Sequence, residues 1–185
     1  PPRRIATDAD HARFARNGEV VYRSLTGTTN GLVRAAVEGG NAVRIFDRPV
    51  LEVGDVSPDG EWAIALIPRA NSSTADEFVA VPVHGGSVRP LCSAGCTINI
   101  SRVVKWNPDG SAVYVDAGDS TEAHRLYRFA LRPGQTFPNL AGGGPEPPSV
   151  GPAVPWEDVA PGPDPSVYVF TRTEQRGNLF RVPLR

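Results

Sequence analysis

The chain has 185 residues, of which 40% are hydrophobic, and its 19 basic and 20 acidic residues leave a formal net charge of −1. This near balance, with arginines spread over several predicted strands, argues against the basic surface that nucleic-acid binding requires. No run approaches the ~18 consecutive apolar residues of a membrane span, and the start lacks the charged-then-apolar pattern of a signal peptide. Any export signal or membrane anchor is therefore expected upstream of Pro1.

The first eight residues have the character of an outer strand whose partner strands are missing. Residues 1–8 resemble two later segments, 43–47 and 88–92, each of which follows a complete set of inner strands. We therefore predict that residues 1–8 form the outermost strand of a preceding or closing sheet.

Four tight turns recur along the chain, and each is followed by an apolar run. The turn residues are Asn17-Gly18, Asp59-Gly60, Asp109-Gly110 and Asp164, with the Asn or Asp residues at intervals of 42, 50 and 55. Asn-Gly and Asp-Gly accept the positive φ that tight hairpin turns require, and a preceding Pro fixes its own φ near the turn value. These glycines are therefore interpreted first as structural turn residues.

The apolar runs after the turns predict the fold. They are Glu19–Tyr22, Glu61–Ile67, Ser111–Val115 and Ser166–Phe170. The runs are too short for helices and rich in β-branched and aromatic residues, so we predict that they are the strands nearest the buried interior. A period of this size in an all-strand sequence indicates a β-propeller with one four-stranded blade per repeat.

A second hairpin signal follows about half a repeat later. Val37–Gly40 and Val83–Gly86 each end one strand and lead into another, and Leu131–Gly134 is a looser third copy. We predict that these hairpins join the third and fourth strands of each blade. Pro90 is tolerated in the fourth strand because that strand is a sheet edge.

The predicted fold class is all-β, with about four consecutive four-stranded antiparallel blades. The predicted segments are the outer strand 1–8, blades 9–48, 49–97 and 98–136, a Pro/Gly-rich excursion 137–155, and an incomplete last blade 156–185. Either residues 1–8 close the last blade into a sealed four-bladed ring, or the chain is an arc of a larger propeller with about six to eight blades.

We favour the arc. The chain contains no Met, so Pro1 is not a translation start, and propellers built from such repeats usually have more than four blades. An arc exposes blade faces that a ring buries, and poor isolated stability is therefore expected.

The excursion 137–155 cannot sustain a strand ladder because its prolines lack donors and its glycines add backbone freedom. We predict a long surface insertion there, with a docking segment as the less favoured alternative. Trp156, which follows the excursion beside Glu157 and Asp158, is the one tryptophan predicted as a partner contact. Trp62 and Trp106 lie on different sides of their turns, so packing between blades is predicted for both.

Cys92 and Cys96 are the only cysteines, and three small residues separate them. A compact loop disulfide is favoured if the chain lives in an oxidising compartment. Two free thiols remain an alternative. Metal or redox chemistry is a weaker one, because a zinc site needs four ligands and a redox pair is normally Cys-x2-Cys.

Residues that carry catalytic chemistry are sparse. His11, His84 and His124 lie in different repeats, and Ser120 lies in a polar loop without an evident base. The acidic loop 116–122 lacks the full spacing of a calcium loop and is predicted to be a solvated hairpin tip. The sequence therefore predicts no catalytic residue, no cofactor and no metal site.

The repeats Ser57-Pro58-Asp59-Gly60 and Asn107-Pro108-Asp109-Gly110, with Val81–Leu91 between them, resemble the TolB-type propeller repeat over nearly the whole chain. Segment 158–171 and the ending 178–184 are similar to the C-terminus of propellers appended to bacterial receptor-like serine/threonine protein kinases, notably from acidobacteria. In that family a kinase domain and one membrane span precede a propeller outside the cytoplasm. The resemblance implies a sensory or interaction module, to which no catalytic residue is transferred. A disulfide between Cys92 and Cys96 fits that location.

Two other classes carry similar propellers. One-component winged-helix regulators place the propeller in the cytoplasm, and prolyl-oligopeptidase-type peptidases place it before a hydrolase domain. The peptidase is disfavoured because the chain ends where that hydrolase domain would begin. Whichever class applies, a protein or small-ligand partner is expected at loops of one propeller mouth, including the segments that lead into Val50–Val53 and Arg102–Lys105. No contact of this segment with a membrane or with nucleic acid is expected.

Overall fold

A computed structural model describes residues 4–15, 17–27, 30–70, 76–91, 100–117, 125–133, 135, 158–164 and 167–171. These ranges contain thirteen β-strands and no helix. The all-β prediction is therefore confirmed. The following lie outside the described residues: the ending 178–184, predicted as part of a third strand without a fourth, the excursion 137–155, Trp156, Cys92, Cys96, Ser120 and His124.

The first two sheets are complete four-stranded antiparallel units. The first contains β1 (Ala9–Phe14), β2 (Glu19–Ser24), β3 (Leu32–Ala36) and β4 (Val43–Phe46). The second contains β5 (Glu52–Val56), β6 (Trp62–Pro68), β7 (Asp76–Pro82) and β8 (Arg89–Pro90). In both sheets the strands lie side by side in chain order, and the hairpins predicted to join the third and fourth strands do join β3 to β4 and β7 to β8.

The later sheets repeat the same arrangement with fewer described strands. The third contains β9 (Ile100–Trp106), β10 (Ala112–Ala117) and β11 (Arg125–Ala130). The fourth contains β12 (Asp158–Pro161) and β13 (Tyr168–Thr171). Pro90 lies in the short edge strand β8, where a missing N–H interrupts no inner ladder.

The sheets stack in sequence through their first strands. β1 contacts β5, β5 contacts β9, and β9 contacts β12. The innermost strands are therefore those before the turns, and the prediction that the apolar runs after the turns lie nearest the interior was wrong. Those runs form the second strand of each sheet. Strands β2, β6 and β10 each have a ladder on both edges, and β6 also has a neighbouring sheet on both faces.

β6 shows why the second strand is the most apolar. Ala63, Ala65 and Ile67 belong to the core shared with the first sheet. Ile64, on the opposite side of the strand, belongs to the core shared with the third sheet. Because both faces of β6 are covered, its sequence is apolar at consecutive positions and does not alternate between apolar and polar residues.

The Asp-Gly turns have the geometry that their sequence predicts. Gly60 N–H donates to Ser57 O over 2.8 Å, and Gly60 has φ +79°. Gly18 and Gly110 have φ values of +79° and +74°. An added Cβ would strain each of these positions.

The first hairpin closes one residue earlier than the others. Ala15 N–H donates to Glu19 O, four residues on, whereas Ser57 N–H donates to Trp62 O, five residues on. Counting from the Asn or Asp would therefore shift the first sheet by one residue, and it is strand register that defines equivalent positions in different sheets.

Candidate functional site

A cavity lies at the turn end of the arc, between the second and third sheets. It has a volume of about 260 Å³. Its lining residues come from two neighbouring turns and from the segment after β11: Ser57, Pro58, Asp59, Trp106, Asp109, Gly110 and Gln135. Two structurally equivalent turns thus face each other across one concavity.

Each turn carboxylate is held by its own turn through one oxygen. Asp59 Oδ1 accepts hydrogen bonds from the Ser57 hydroxyl and, over 3.0 Å, from Glu61 N–H. Asp109 Oδ1 accepts one from Ser111 N–H over 2.8 Å and another from Asn107 Nδ2 over 2.5 Å. Within the described part of the chain, Oδ2 of neither Asp59 nor Asp109 accepts a hydrogen bond. Both carboxylates therefore keep one oxygen for an external donor.

Hydrogen bonding fixes the charge of one of these carboxylates. The hydroxyl and the backbone N–H of Ser111, together with the Asn107 amide, hold the pKa of Asp109 below its ordinary value of 3.8. Donors of this kind favour the ionised form. Asp109 is therefore an anion at neutral pH.

Trp106 forms the apolar wall of the cavity. Only 4% of its surface is exposed, and it packs in the core between the second and third sheets. Trp62 is partly buried against the same core, with the Arg89 guanidinium 5.3 Å from its ring centroid. Both predictions of inter-blade packing for these tryptophans are confirmed.

A polar cluster behind the cavity ties three first strands together. Arg13 Nε and Lys105 Nζ both donate to Gly54 O, over 2.9 and 3.1 Å. Trp106 N–H donates to Asp55 Oδ2 over 2.8 Å. Burial raises the pKa of Asp55, although the Trp106 N–H and the charge of Lys105 act in the opposite direction. This cluster fixes Trp106 relative to the second sheet.

A second polar cluster joins the first and second sheets at the same end. Arg34 Nη1 donates to Glu19 Oε1 over 2.7 Å and lies 3.2 Å from His84 Nδ1. Asn17 Nδ2 donates to Glu19 Oε2 over 2.7 Å. Burial would raise the pKa of Glu19, but the hydrogen bonds from Arg34 and Asn17 and the nearby charges outweigh it and lower that pKa.

This cluster predicts an acid-dependent loss of stability. Because the folded-state pKa of Glu19 lies below its ordinary value of 4.5, the unfolded chain takes up the proton first, and stability falls as the pH drops below about 4.5. Replacing Glu19 by Gln is expected to cost about 1 kcal/mol at pH 7 and much less at pH 3. Urea denaturation of both proteins at each pH measures the difference.

The matched control is Glu61→Gln, because the Glu61 side chain is exposed and makes no hydrogen bond within the described residues. Its stability difference from the parent is expected to be the same at both pH values. An equal pH dependence for the Glu19 and Glu61 variants would contradict the assignment to Glu19.

The structure separates the other residues that the sequence singled out. His11 is an exposed bulge residue of β1 with φ +47°, and His84 lies in the hairpin between β7 and β8, near Arg34 of the first sheet. Among the described ranges, no group of three or more His, Cys, Asp or Glu side chains is positioned to hold a metal. Asp116 is fully buried in β10, so its prediction as part of a solvated hairpin tip was wrong. Its strand continues past the apolar run.

The propeller mouth at which the sequence predicts partner binding lies at the opposite end of the sheets from the cavity. Val50 is buried there, and Arg23 Nη1 donates to Leu51 O while its other nitrogens pair with Asp10. The segment that leads into β9 precedes the described strand. Sequence reasoning treated Asp59 and Asp109 as turn residues only. Their equivalence in consecutive repeats was the available signal that they meet at one site.

Comparison with known structures identifies the fold of the chain. No protein-family model matches the chain, and the search of curated proteins found no match. A TolB-type protein from Agrobacterium tumefaciens matches 66% of this chain and 46% of its own chain, with a TM-score of 0.52 and 15% identity. TolB from Acinetobacter baumannii matches 65% of this chain and 29% of its own, with a TM-score of 0.50 and 14% identity.

The chain has a TolB-like β-propeller fold. The matched part spans less than half of either TolB chain. At identities this low, the structural match establishes the fold but not an activity. No helix in the described ranges is long and apolar enough to cross a membrane.

Proposed function

We propose that this TolB-like propeller is a non-catalytic recognition module whose turn-end cavity receives a cationic group of a protein partner. The observation that carries the proposal is the pairing of Asp59 and Asp109 across the cavity, each with one oxygen free of hydrogen bonds within the described residues. Trp106 and Pro58 add apolar wall beside the carboxylates. A planar guanidinium has donors for two carboxylates and a face that stacks on apolar surface, so arginine is the preferred group.

The described residues of the cavity do not form a nucleophile and base pair. They include one hydroxyl, Ser57, and that hydroxyl already donates to Asp59. No histidine is among these described lining residues to serve as its base. Reproducible hydrolase or kinase turnover by the purified chain, abolished by one substitution, would overturn the non-catalytic assignment.

We further propose that the module is the extracytoplasmic sensory or interaction domain of a bacterial receptor-like serine/threonine kinase. The support is the similarity of segments 158–171 and 178–184 to the ends of such propellers. Reading the gene upstream of residue 1 tests it. A kinase domain followed by one membrane span is expected, whereas a winged helix with no span assigns the module to a cytoplasmic regulator.

The recognition site is tested with a short synthetic peptide that carries one central arginine, and with the same peptide carrying citrulline. Nuclear magnetic resonance is expected to show shifts at Gly60, Gly110 and the Trp106 indole with the arginine peptide. The double variant Asp59→Asn/Asp109→Asn is expected to bind it about tenfold more weakly, since two charge-assisted contacts become neutral.

The control variant is Asp47→Asn, because Asp47 is an exposed carboxylate after β4, away from the cavity. It is expected to bind the arginine peptide as the parent does. Equal binding of the arginine and citrulline peptides, or shifts confined to residues away from the two turns, would refute a cationic site in this cavity.

A further inference from the structure

The innermost strands of the first two sheets each contain a bulge. In β1 one extra residue lies between Asp10 and Arg13 relative to β2, and in β5 Gly54 lies between two register pairs without a partner of its own. A bulge leaves its extra residue outside the regular ladder, so the carbonyl group of such a residue is able to accept donors from elsewhere. Gly54 O is therefore available to side chains of the neighbouring sheets.

Two cationic side chains meet at the Gly54 carbonyl. Arg13 Nε of the first sheet donates to Gly54 O over 2.9 Å, and Lys105 Nζ of the third sheet donates to the same oxygen over 3.1 Å. A carbonyl oxygen has two lone pairs, and these two donors use both. Because both nitrogens contact one atom, the two positive charges lie close together and repel each other. We call Arg13, Lys105 and Gly54 O the inner cluster.

Lys105 reaches this carbonyl over the open edge of its own sheet. Its neighbour Trp106 packs in the core shared with the second sheet, and adjacent residues of a strand point to opposite faces. The Lys105 side chain therefore leaves β9 toward the fourth sheet, yet its Nζ lies on Gly54 O of the second sheet. β9 is the last strand on the inner side of the described third sheet, so the side chain passes across that edge. Its ammonium group thus lies on the inner surface of the arc.

The described carboxylates near the inner cluster do not pair with Arg13. Asp10, on the other side of the β1 bulge, is paired with Arg23. Burial raises the pKa of Asp55, although the charges of Lys105 and Arg13 act in the opposite direction. Within the described residues Arg13 forms no ion pair. Its partly exposed guanidinium therefore lies beside a second cation and donates to neutral carbonyl oxygens.

An anionic acceptor suits this arrangement better than a carbonyl group. A carbonyl group carries no net charge, so neither hydrogen bond to Gly54 O offsets the repulsion between the two cations. A carboxylate carries a full negative charge and has two oxygens that each accept hydrogen bonds. One carboxylate is therefore able to bind the Arg13 guanidinium and the Lys105 ammonium together and to attract both.

We propose that Arg13 and Lys105 form a further binding site, at the inner edge of the second sheet, which takes a carboxylate group. The carboxylate replaces Gly54 O as the acceptor of both side chains. This site prefers the opposite charge to the turn-end cavity and shares no lining residue with it, so it stands independently of the proposed function. The carboxylate belongs either to a small ion or to an acidic side chain of a partner, and the chemistry of recognition is the same in both cases.

Nuclear magnetic resonance with three probes tests the site. The probes are sodium acetate, a short end-capped peptide with one central glutamate and no other charge, and the same peptide carrying glutamine, all at one ionic strength set with sodium chloride. The glutamate peptide is expected to shift the amide signals of Gly54 and Asp55 and the Arg13 Nε–H signal in a saturable way, and the glutamine peptide is not. Saturation by acetate as well identifies a site for small carboxylate ions, whereas saturation by the peptide alone identifies a site for an acidic side chain.

Arg13→Gln is expected to bind the glutamate peptide about tenfold more weakly, because one of the two charges is lost. The matched control is Arg69→Gln, since Arg69 is exposed after β6 and makes no hydrogen bond within the described residues. It is expected to bind as the parent does. The Asp59→Asn/Asp109→Asn variant is expected to bind the glutamate peptide at least as tightly as the parent, so failure of the turn-end cavity would leave this site standing.

The remaining outcomes overturn the proposal. Equal shifts with the glutamate and glutamine peptides would show that charge is not recognised, and the absence of a saturable shift with both acetate and the glutamate peptide would show that no site exists. Undiminished binding by Arg13→Gln would also refute it. If that variant fails to fold by circular dichroism, Lys105→Gln replaces it, and the comparison of the two peptides on the unsubstituted chain decides without any variant.

Discussion

Replacing Trp106 by Ala is expected to lower the free energy of unfolding by about 3–5 kcal/mol, the range for truncating a buried Trp. Trp106 is 4% exposed and lies in the core between the second and third sheets. The substitution removes a large buried side chain from that interface and leaves a cavity that the neighbouring sheets fill poorly. Urea denaturation followed by circular dichroism measures the loss.

Trp62→Ala is the matched control for this substitution. Trp62 is only partly buried at the margin of the same core, beside Arg89. Its loss is expected to be clearly smaller, because part of the ring is already in contact with water. Equal losses for the two variants would contradict the assignment of Trp106 to the packed interface.

The second large effect is expected at Val21. Replacing Val21 by Ala is expected to cost about 2 kcal/mol, since two buried methyl groups are lost from the interface between the first two sheets. Val169 occupies the same register position in the fourth sheet but is exposed. Val169→Ala is therefore expected to change the stability of the 185-residue chain by less than about 0.5 kcal/mol.

The two variants test the same substitution, Val to Ala, at equivalent strand positions, of which one is buried and the other exposed. The measurement is the difference between the two unfolding free energies, taken from urea titrations under identical conditions. A cost at Val169 as large as that at Val21 would mean that another surface covers the fourth sheet in solution.

Turn chemistry and strand order were the most predictable parts of this fold. Asp59-Gly60 and Asp109-Gly110 specify positive φ locally, and that local requirement survives in any tertiary context. Pro90 also marked an edge strand correctly, because a residue without an N–H is excluded from inner ladders. These signals depend on a few adjacent residues only.

Packing between sheets was predicted less well. The apolar run of β6 was interpreted as the innermost strand. A strand that is apolar at consecutive positions is one whose two faces are both covered, and this pattern does not indicate how close the strand lies to the propeller axis. The equivalence of Asp59 and Asp109 in consecutive repeats is visible in the sequence, but whether the two turns face each other depends on how two sheets stack. The hydrogen bond from the backbone N–H of Trp106 to Asp55 joins neighbouring repeats across 51 residues of sequence and has no local signature.

The sequential stacking of the sheets has a consequence for synthesis. Every described sheet is built from consecutive strands, and the principal contacts between sheets join neighbours along the chain. A ribosome that adds about 5–20 residues per second therefore releases one foldable unit at a time. For several seconds, the apolar face of the most recently synthesised sheet that the next sheet will cover is exposed to solvent. A chaperone that shields a single apolar sheet face would protect the growing chain until the next sheet is synthesised.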